Sequence, residues 1–260
     1  MSVVAVAGCG LLGLAVGSFL NVVVHRVPLG LSVVRPGSSC PSCATVLRPW
    51  DNIPLLSWIL LRGRCRACGM PISLRYPALE ALTAAVFVVT ALRFGLSWSL
   101  PAQLAFVAGL LALAAVDLER YLLPRAIVYP TLGIVATGLL VAAFAGHQWG
   151  RLGVAALCAI GSFALFFIIQ FVRPRWLGFG DVRLAALLGL ALGWLGGWTL
   201  LVAFMAANLL GATVGIALMA AGRASRTTAL PYGAFLTAGA LFALVWGAPT
   251  IAWYSHTFRR

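Results

Sequence analysis

The stretch LAALLGLALGWLGGWTLLVAFMAANLLGATVGIALMAAG, residues 184 to 222, runs for 39 residues without an Asp, Glu, Lys or Arg. A bilayer core about 30 Å thick is crossed by about 20 helical residues, so this stretch is too long for a single span. Its segment GWLGGW (193–198) offers glycines for a turn and tryptophans for the membrane interface. The stretch therefore predicts two transmembrane helices joined by a tight turn.

Further apolar runs, each shorter than this stretch, occur along the rest of the chain. They cover residues 2–24, 94–116, 126–150, 152–172 and 227–258, and residues 78–98 form another run that contains Arg93 near one end. The mean hydropathy of +1.04 and the charged fraction of 9% also place the chain in the membrane class. The sequence predicts an all-α polytopic membrane protein with about eight transmembrane helices.

The arginines predict the orientation of these helices, because cytoplasmic loops of membrane proteins are enriched in basic residues. With eight spans and an external N-terminus, fourteen of the eighteen arginines lie in cytoplasmic segments. They are Arg26, Arg35, Arg48, Arg62, Arg64, Arg66, Arg75, Arg120, Arg125, Arg173, Arg175, Arg183, Arg223 and Arg226, which leaves Arg93, Arg151, Arg259 and Arg260 outside. The first span lacks basic residues before its apolar core, so we expect it to be retained rather than cleaved.

The net charge of +13 does not indicate nucleic-acid binding. The arginines are dispersed among loops, without the stacked aromatic residues or recognition helix of nucleic-acid-binding proteins. Topology and contact with anionic membrane lipid account for them better.

The only sizeable polar insertion follows the first span and contains four regularly spaced cysteines. Cys40 and Cys43 form one C-x2-C pair, and Cys65 and Cys68 form a second after 21 intervening residues. This spacing is typical of a four-thiolate zinc site that is closed and therefore structural. Two disulfides or unremarkable thiols are the alternatives, but disulfides are rare in the cytoplasm. We expect three parts: a first helix (1–24), a cytoplasmic zinc-ribbon-like insertion (25–77) and a seven-helix core (78–260).

Two of the five acidic residues call for a functional explanation. Asp117 ends the third predicted span and Asp181 begins the sixth, so both lie at the same membrane face. Carboxylates at membrane depth are costly unless they have a function, and two that converge can share a proton as an acid and a base. Ordinary roles account for the others: a surface turn for Asp51, pairing with Arg75 or a helix start for Glu80, and headgroup contact for Glu119.

Asp181 ends the segment GFGD, in which Gly178 and Gly180 permit close approaches that a side chain would block. A glycine turn with an Asp N-cap is the simpler interpretation of such a segment alone. The second acid at the same membrane face favours a catalytic interpretation instead.

Five ordered motifs give the chain a resemblance to the bacterial type IV prepilin peptidases, a group of GxGD intramembrane aspartyl proteases. They are GLAVGSFLNVVVHRVP (13–28), the paired C-x2-C insertion, DLERYLLP (117–124), GFGDVRLAALLG (178–189) and LPYGAFL (230–236). The resemblance implies removal of the short basic leader of prepilins and pseudopilins at the cytoplasmic face of the bacterial inner membrane. Asp117 and Asp181 match the family's catalytic positions, and Pro231 and Gly233 would support the site.

The resemblance also implies methylation of the new N-terminus with S-adenosylmethionine, an activity linked to the cytoplasmic insertion. No nucleotide-binding fingerprint accompanies it, so the sequence assigns no residue to this cofactor. Arg125 and Arg183 depart from the family's pattern, in which Asp and Lys are common. A peptidase without methyltransferase activity, a proton-coupled transporter that uses both acids as a relay, and a non-catalytic zinc-ribbon scaffold are the alternatives.

Overall fold

A computed structural model describes residues 2–175, 177–225 and 228–258, and these residues form nine α-helices. The helices are α1 Val3–Arg26, α2 Leu56–Leu60, α3 Arg75–Phe94, α4 Leu100–Arg120, α5 Arg125–Ala145, α6 Trp149–Val172, α7 Phe179–Gly193, α8 Gly197–Ala220 and α9 Tyr232–Phe258. Within the same ranges, extended pairing is limited to two isolated bridges, Ser39 with Val46 and Arg64 with Pro71. The predicted loop or terminal residues Arg226, Arg259 and Arg260 lie outside the described residues.

Seven of these helices are long and apolar enough to cross a membrane, which confirms the all-α membrane class. The short helix α2 lies in the insertion, and α7, which corresponds to the sixth predicted span, has only 15 residues. At 1.5 Å per residue α7 is about 22 Å long, short of a bilayer core of about 30 Å. The predicted break in the 39-residue stretch is confirmed: α7 ends at Gly193, and Gly196 precedes α8 with a φ of 121°.

The chain divides into two compact units, residues 1–96 and 97–260. In the first unit, α1 packs against α3 through two glycines. A Cβ on Gly13 would lie 2.6 Å from the Cα of Ala84, and one on Gly17 would lie 2.7 Å from the Cα of Glu80. This is the small-residue contact by which membrane helices approach closely.

The second unit is built around α4, which packs against α5, α7 and α9. Its side chains Phe106, Leu110 and Leu113 are fully buried. The buried Gln103 amide donates to the Ala191 carbonyl oxygen of α7 at 3.3 Å. Helix α6 packs on α7 through Ser162, whose hydroxyl donates to the Ala185 carbonyl oxygen at 2.8 Å. These contacts fix the two helices that carry the predicted catalytic acids.

Glu80 does not lie at the start of its helix, which was one of its two expected roles. It lies on the sixth position of α3, is 8% exposed, and accepts a hydrogen bond from the backbone N–H of Leu55 at 2.8 Å. The carboxylate therefore ties the insertion to a membrane helix, a long-range contact that neighbouring residues in the sequence could not reveal.

Candidate active site

Asp117 lies in the last turn of α4 and is 5% exposed. The helix ends at Arg120 because Tyr121 adopts a left-handed conformation, with its N–H donating to the Asp117 carbonyl oxygen at 2.9 Å. The Asp117 side chain accepts a hydrogen bond from the backbone N–H of Ala234 at 3.0 Å. A carboxylate at the end of one membrane helix is thus held by the start of α9.

Asp181 is the third residue of α7, where backbone N–H groups point toward the N-terminal end of the helix. Gly178, just before the helix, is extended, and its N–H donates to the Asp181 carboxylate at 3.1 Å. The Asp181 N–H in turn donates to the Gly178 carbonyl oxygen at 3.0 Å. Gly178 is therefore the N-cap and Asp181 lies at the N3 position, so the simpler interpretation of GFGD, an Asp N-cap, is wrong. The bond from the Gly178 N–H also sets the direction of the carboxylate.

Leu123, in the connection between α4 and α5, joins the segments that carry the two acids. A Cβ on Gly180 would lie 2.8 Å from Leu123 Cβ, and one on Gly233 would lie 2.9 Å from Leu123 Cδ2. The Gly233 Cβ would also be 3.0 Å from the Asp117 carboxylate. The segments that carry Asp117 and Asp181 and the start of α9 therefore meet around Leu123.

The supporting residues predicted from LPYGAFL occupy the start of α9. The Pro231 carbonyl oxygen accepts the N–H groups of Ala234 and Phe235 at 3.2 and 3.4 Å, so it begins the helix. Sequence reasoning did not single out Leu123 or Ala234, because a leucine and a backbone N–H carry no chemical signature. It also missed Tyr232, the first residue of α9, whose hydroxyl donates to Asn208 Oδ1 at 3.4 Å.

The two departures from the family's pattern have different surroundings. The Arg183 guanidinium lies 4.7 Å from the ring centroid of Phe179 and 5.5 Å from that of Tyr129, which are cation–π distances. Arg125 is exposed as the first residue of α5. The Arg183 side chain is therefore packed against two aromatic rings, whereas Arg125 adds positive charge to the surface.

The four cysteines of the insertion form a compact cluster. The sulfur atoms of Cys40, Cys43, Cys65 and Cys68 all lie within 4.8 Å of one another, and those of Cys40 and Cys68 are 3.8 Å apart. Four sulfurs placed tetrahedrally at a Zn–S distance of about 2.3 Å are separated by about 3.8 Å, so the donor set fits zinc.

Two equivalent turns present these sulfurs. The Ala44 N–H donates to the Cys40 carbonyl oxygen and the Gly69 N–H to the Cys65 carbonyl oxygen, each at 2.9 Å. Both residues after the second cysteine of a pair have positive φ, 57° for Ala44 and 71° for Gly69. Asp51 is not a simple surface acid: it accepts from Arg66, beside the second turn, at 2.7 and 2.9 Å.

The surroundings of Cys43 and Cys65 favour the thiolate, the form that binds metal. Hydrogen bonds from the hydroxyl and backbone N–H of Thr45 lower the pKa of the Cys43 thiol to about 6. Backbone hydrogen bonds from Cys68 and Ala67 lower the pKa of Cys65. At Cys68 a backbone hydrogen bond from Met70 is outweighed by burial and by the neighbouring thiols, which together raise the pKa to about 12.

Family models match both the N-terminal part of the chain, which includes the insertion, and the helices that carry the two acids. Residues 11–94 match the family model of the bacterial peptidase A24 N-terminal domain, and residues 104–216 match that of the type IV leader peptidase family. No solved structure matches the chain.

Curated relatives named prepilin leader peptidase/N-methyltransferase are similar over most of the chain. The one from Myxococcus xanthus is 44% identical across 84% of this chain, which spans 64% of that relative's length. The Pseudomonas aeruginosa protein is 36% identical, with 91% of this chain and 89% of the relative covered, and the Bacillus subtilis protein is 34% identical, with 93% and 94% covered. The chain belongs to the type IV leader peptidase family.

Proposed function

We propose that the chain is a prepilin leader peptidase and N-methyltransferase in which Asp117 and Asp181 form the peptidase dyad. The observation that carries the peptidase assignment is the convergence of α4, α7 and the start of α9, because Leu123 contacts both Gly180, next to Asp181, and Gly233, next to the Asp117 carboxylate. Both acids lie at helix ends, three residues before the end of α4 and three residues into α7. This placement favours a peptidase over a proton relay, which would place its acids near the middle of the membrane.

The dyad would hydrolyse a peptide bond by shared proton transfer. Asp181, at a helix N-terminus, is favoured as the anion and removes a proton from water as the water oxygen adds to the scissile carbonyl carbon. Asp117, at a helix C-terminus, is favoured as the acid and donates its proton to the leaving amide nitrogen. The carbon–nitrogen bond then breaks, which leaves a leader with a new carboxylate and a mature protein with a new amine.

The substrates of this reaction are prepilins and pseudopilins, whose short basic leader precedes an apolar helix. That helix can remain in the bilayer beside the enzyme, so that only the extended segment at the cytoplasmic membrane edge has to reach the dyad. The product amine is the group that the second activity methylates. S-adenosylmethionine supplies the methyl group when bound.

Cys40, Cys43, Cys65 and Cys68 would hold one zinc ion in the insertion. Four thiolates fill the coordination sphere, so the ion would stabilise the insertion and leave no position for a catalytic water. A segment of this size has little apolar core of its own, and metal binding would supply much of its folding free energy.

Replacement of each acid tests the peptidase assignment. Asp117→Asn and Asp181→Asn should each lower the cleavage rate of a purified prepilin in detergent by roughly 10²- to 10⁴-fold, the usual contribution of a general acid or base. Glu119→Gln is the matched control, because Glu119 is exposed and two residues from Asp117, and it should cleave normally. Normal cleavage by either Asp variant would show that the dyad is wrongly assigned.

A further inference from the structure

A cavity of about 360 Å³ lies in the first compact unit, beside the C-terminal half of α1. Its lining includes Ser18, Phe19 and Arg26 of α1, together with Ser38, Asn52 and Pro54 of the insertion. Small-molecule sites in proteins begin at about 300 Å³ and combine apolar walls with a few convergent polar groups. We propose that this cavity binds S-adenosylmethionine, an inference that rests on the N-methyltransferase activity proposed above.

Arg26, the last residue of α1, lines the cavity. Its guanidinium donates hydrogen bonds to the carbonyl oxygens of Ser32, Pro36 and Gly37 at 3.1, 2.8 and 3.2 Å. These bonds hold the loop that follows α1 against the helix and fix a positive charge at the cavity wall. A fixed guanidinium is the group that best complements the donor's carboxylate.

Glu80 does not line the cavity, but its carboxyl group lies behind the cavity wall. Its buried carboxylate accepts the Leu55 N–H at 2.8 Å and interacts with the Ser18 side chain. Ser18 lines the cavity, and Leu55 follows Pro54, which lines it too. The close packing of Gly17 on α3 keeps this carboxylate next to α1. An acid in a membrane helix indicates a functional site, and here it complements the donor's sulfonium and ammonium groups.

The remaining lining suits the nucleoside part of the donor. Asn52 and Ser38 carry an amide and a hydroxyl able to pair with adenine or ribose, and the aromatic ring of Phe19 offers a face for stacking. The cavity therefore presents a cation, polar side chains and an aromatic ring, with the Glu80 carboxyl group behind its wall. These are the complements of a charged amino acid joined to a nucleoside.

Direct binding by the full-length enzyme in nanodiscs tests the site without measuring methyl transfer. Isothermal titration with S-adenosylmethionine and with S-adenosylhomocysteine gives the affinity of each for the wild type and the variants. Ser18→Phe fills the cavity and should abolish measurable binding. Asn52→Ala should weaken it about tenfold, the effect of losing one hydrogen bond to a buried group. Leu12→Phe, the same type of replacement at an exposed position of α1, should bind both ligands normally, and zinc content reports correct folding.

Glu80→Gln adds a readout that depends on charge alone. S-adenosylmethionine carries a sulfonium and S-adenosylhomocysteine a neutral thioether, so loss of the carboxylate should reduce the preference for the former by roughly threefold to tenfold. An unchanged preference would remove Glu80 from donor recognition.

The possible outcomes separate this proposal from the function on which it rests. A wild type that neither binds the donor nor methylates a cleaved pilin contradicts the methyltransferase assignment itself. A wild type that binds the donor, with equal affinity in Ser18→Phe and Asn52→Ala, overturns the cavity as its site. A phospholipid that stays bound in native mass spectra and is not displaced by S-adenosylhomocysteine would show that the cavity is a lipid site, and this result also overturns the proposal.

Discussion

Gly233 sets how closely the start of α9 approaches Asp117. A Cβ there would lie 3.0 Å from the Asp117 carboxylate and 2.9 Å from Leu123 Cδ2. Both contacts involve the ends of flexible side chains, which can move without disturbing the helices. We expect Gly233→Ala to fold normally but to displace the carboxylate, and to lower the prepilin cleavage rate by roughly 10- to 100-fold.

The control for this prediction is Gly133→Ala on α5, where a Cβ would meet nothing within 4 Å. Cleavage kinetics and thermal unfolding should be measured for both variants. Equal cleavage by Gly233→Ala and Gly133→Ala would show that the contact with Asp117 is irrelevant to catalysis. A large loss of thermal stability in Gly233→Ala alone would show that the glycine serves packing instead.

Ala44 occupies a backbone conformation better suited to glycine. Its φ is 57°, and the equivalent residue of the second cysteine turn is Gly69. A left-handed conformation costs a non-glycine residue about 1–2 kcal/mol, and the greater freedom of glycine in the unfolded chain offsets part of this. Ala44→Gly should therefore stabilise the insertion by about 0.5–1 kcal/mol.

Zinc release to a chelator measures this effect, because metal binding and folding of the insertion are coupled. Ala44→Gly should release zinc more slowly than the wild type, and Gly69→Ala should release it faster, since nothing lies within 4 Å of its Cβ position and only the backbone changes. A Cys40→Ser, Cys43→Ser double variant should lack zinc. Undiminished zinc in that variant contradicts the site.

Among individual residues, the sequence predicts those site residues whose side chains are chemically distinctive. Asp117 and Asp181 stand out because acids are rare in the chain, and the cysteines because of their spacing. Leu123 and Ala234 act through packing and a backbone N–H, so no residue type points to them. Glu80 could be noticed as an acid in an apolar helix, but its partner Leu55 lies 25 residues earlier, in an irregular segment.

The packing of α1 on α3 depends on the two glycines of the segment GLAVG (13–17). A Cβ on Gly17 would lie only 2.7 Å from the Cα of Glu80, so the glycine is what allows the two helices to come this close. Leucine there would meet backbone, which cannot move aside as a side chain can. We expect Gly17→Leu to destabilise the first compact unit by roughly 1–3 kcal/mol, the usual effect of overpacking.

Gly8→Leu is the matched control, because it lies on the same helix and a Cβ there would meet nothing within 4 Å. Hydrogen exchange of residues 1–96 in detergent compares the two variants, and α1 and α3 should lose protection in Gly17→Leu alone. Equal protection in both would mean that the glycines do not determine this helix contact.

Helix α7 shows where prediction from an apolar run is limited. The absence of charge in residues 184–222 predicted two helices, and the glycines predicted their junction, but neither predicted a helix of only 15 residues. The shortness follows from burial. Most of α7, from Val182 to Gly193, is enclosed by other helices, whereas α6 and α8 have mostly exposed apolar windows. A helix that does not contact lipid need not match the bilayer thickness, and its surroundings are set by residues distant in sequence.

For the whole molecule, the alternation of helices predicts which connections share a membrane face. Connections between neighbouring helices of the second unit are short, so successive helices run in opposite directions. The α3–α4 connection should then lie outside, and the α8–α9 connection should lie in the cytoplasm with the two acids. Arginine content agrees, since Arg223 follows α8, and Arg173 and Arg175 follow α6.

Two conservative substitutions test this orientation. Ser97 and Ser225 are exposed in these two connections, and Ser→Cys at either position adds a thiol with little change in shape. In a chain with Cys9 and Cys158 replaced by Ser, a membrane-impermeant maleimide added to intact spheroplasts should label Ser97→Cys but not Ser225→Cys. In permeabilised spheroplasts Ser225→Cys should take up more label than the same chain without the new thiol, in which Cys43 and Cys68 are already exposed. The difference shows that the thiol at position 225 is accessible. Labelling of Ser225→Cys in intact spheroplasts would place the dyad on the outer face, away from a leader that has not crossed the membrane.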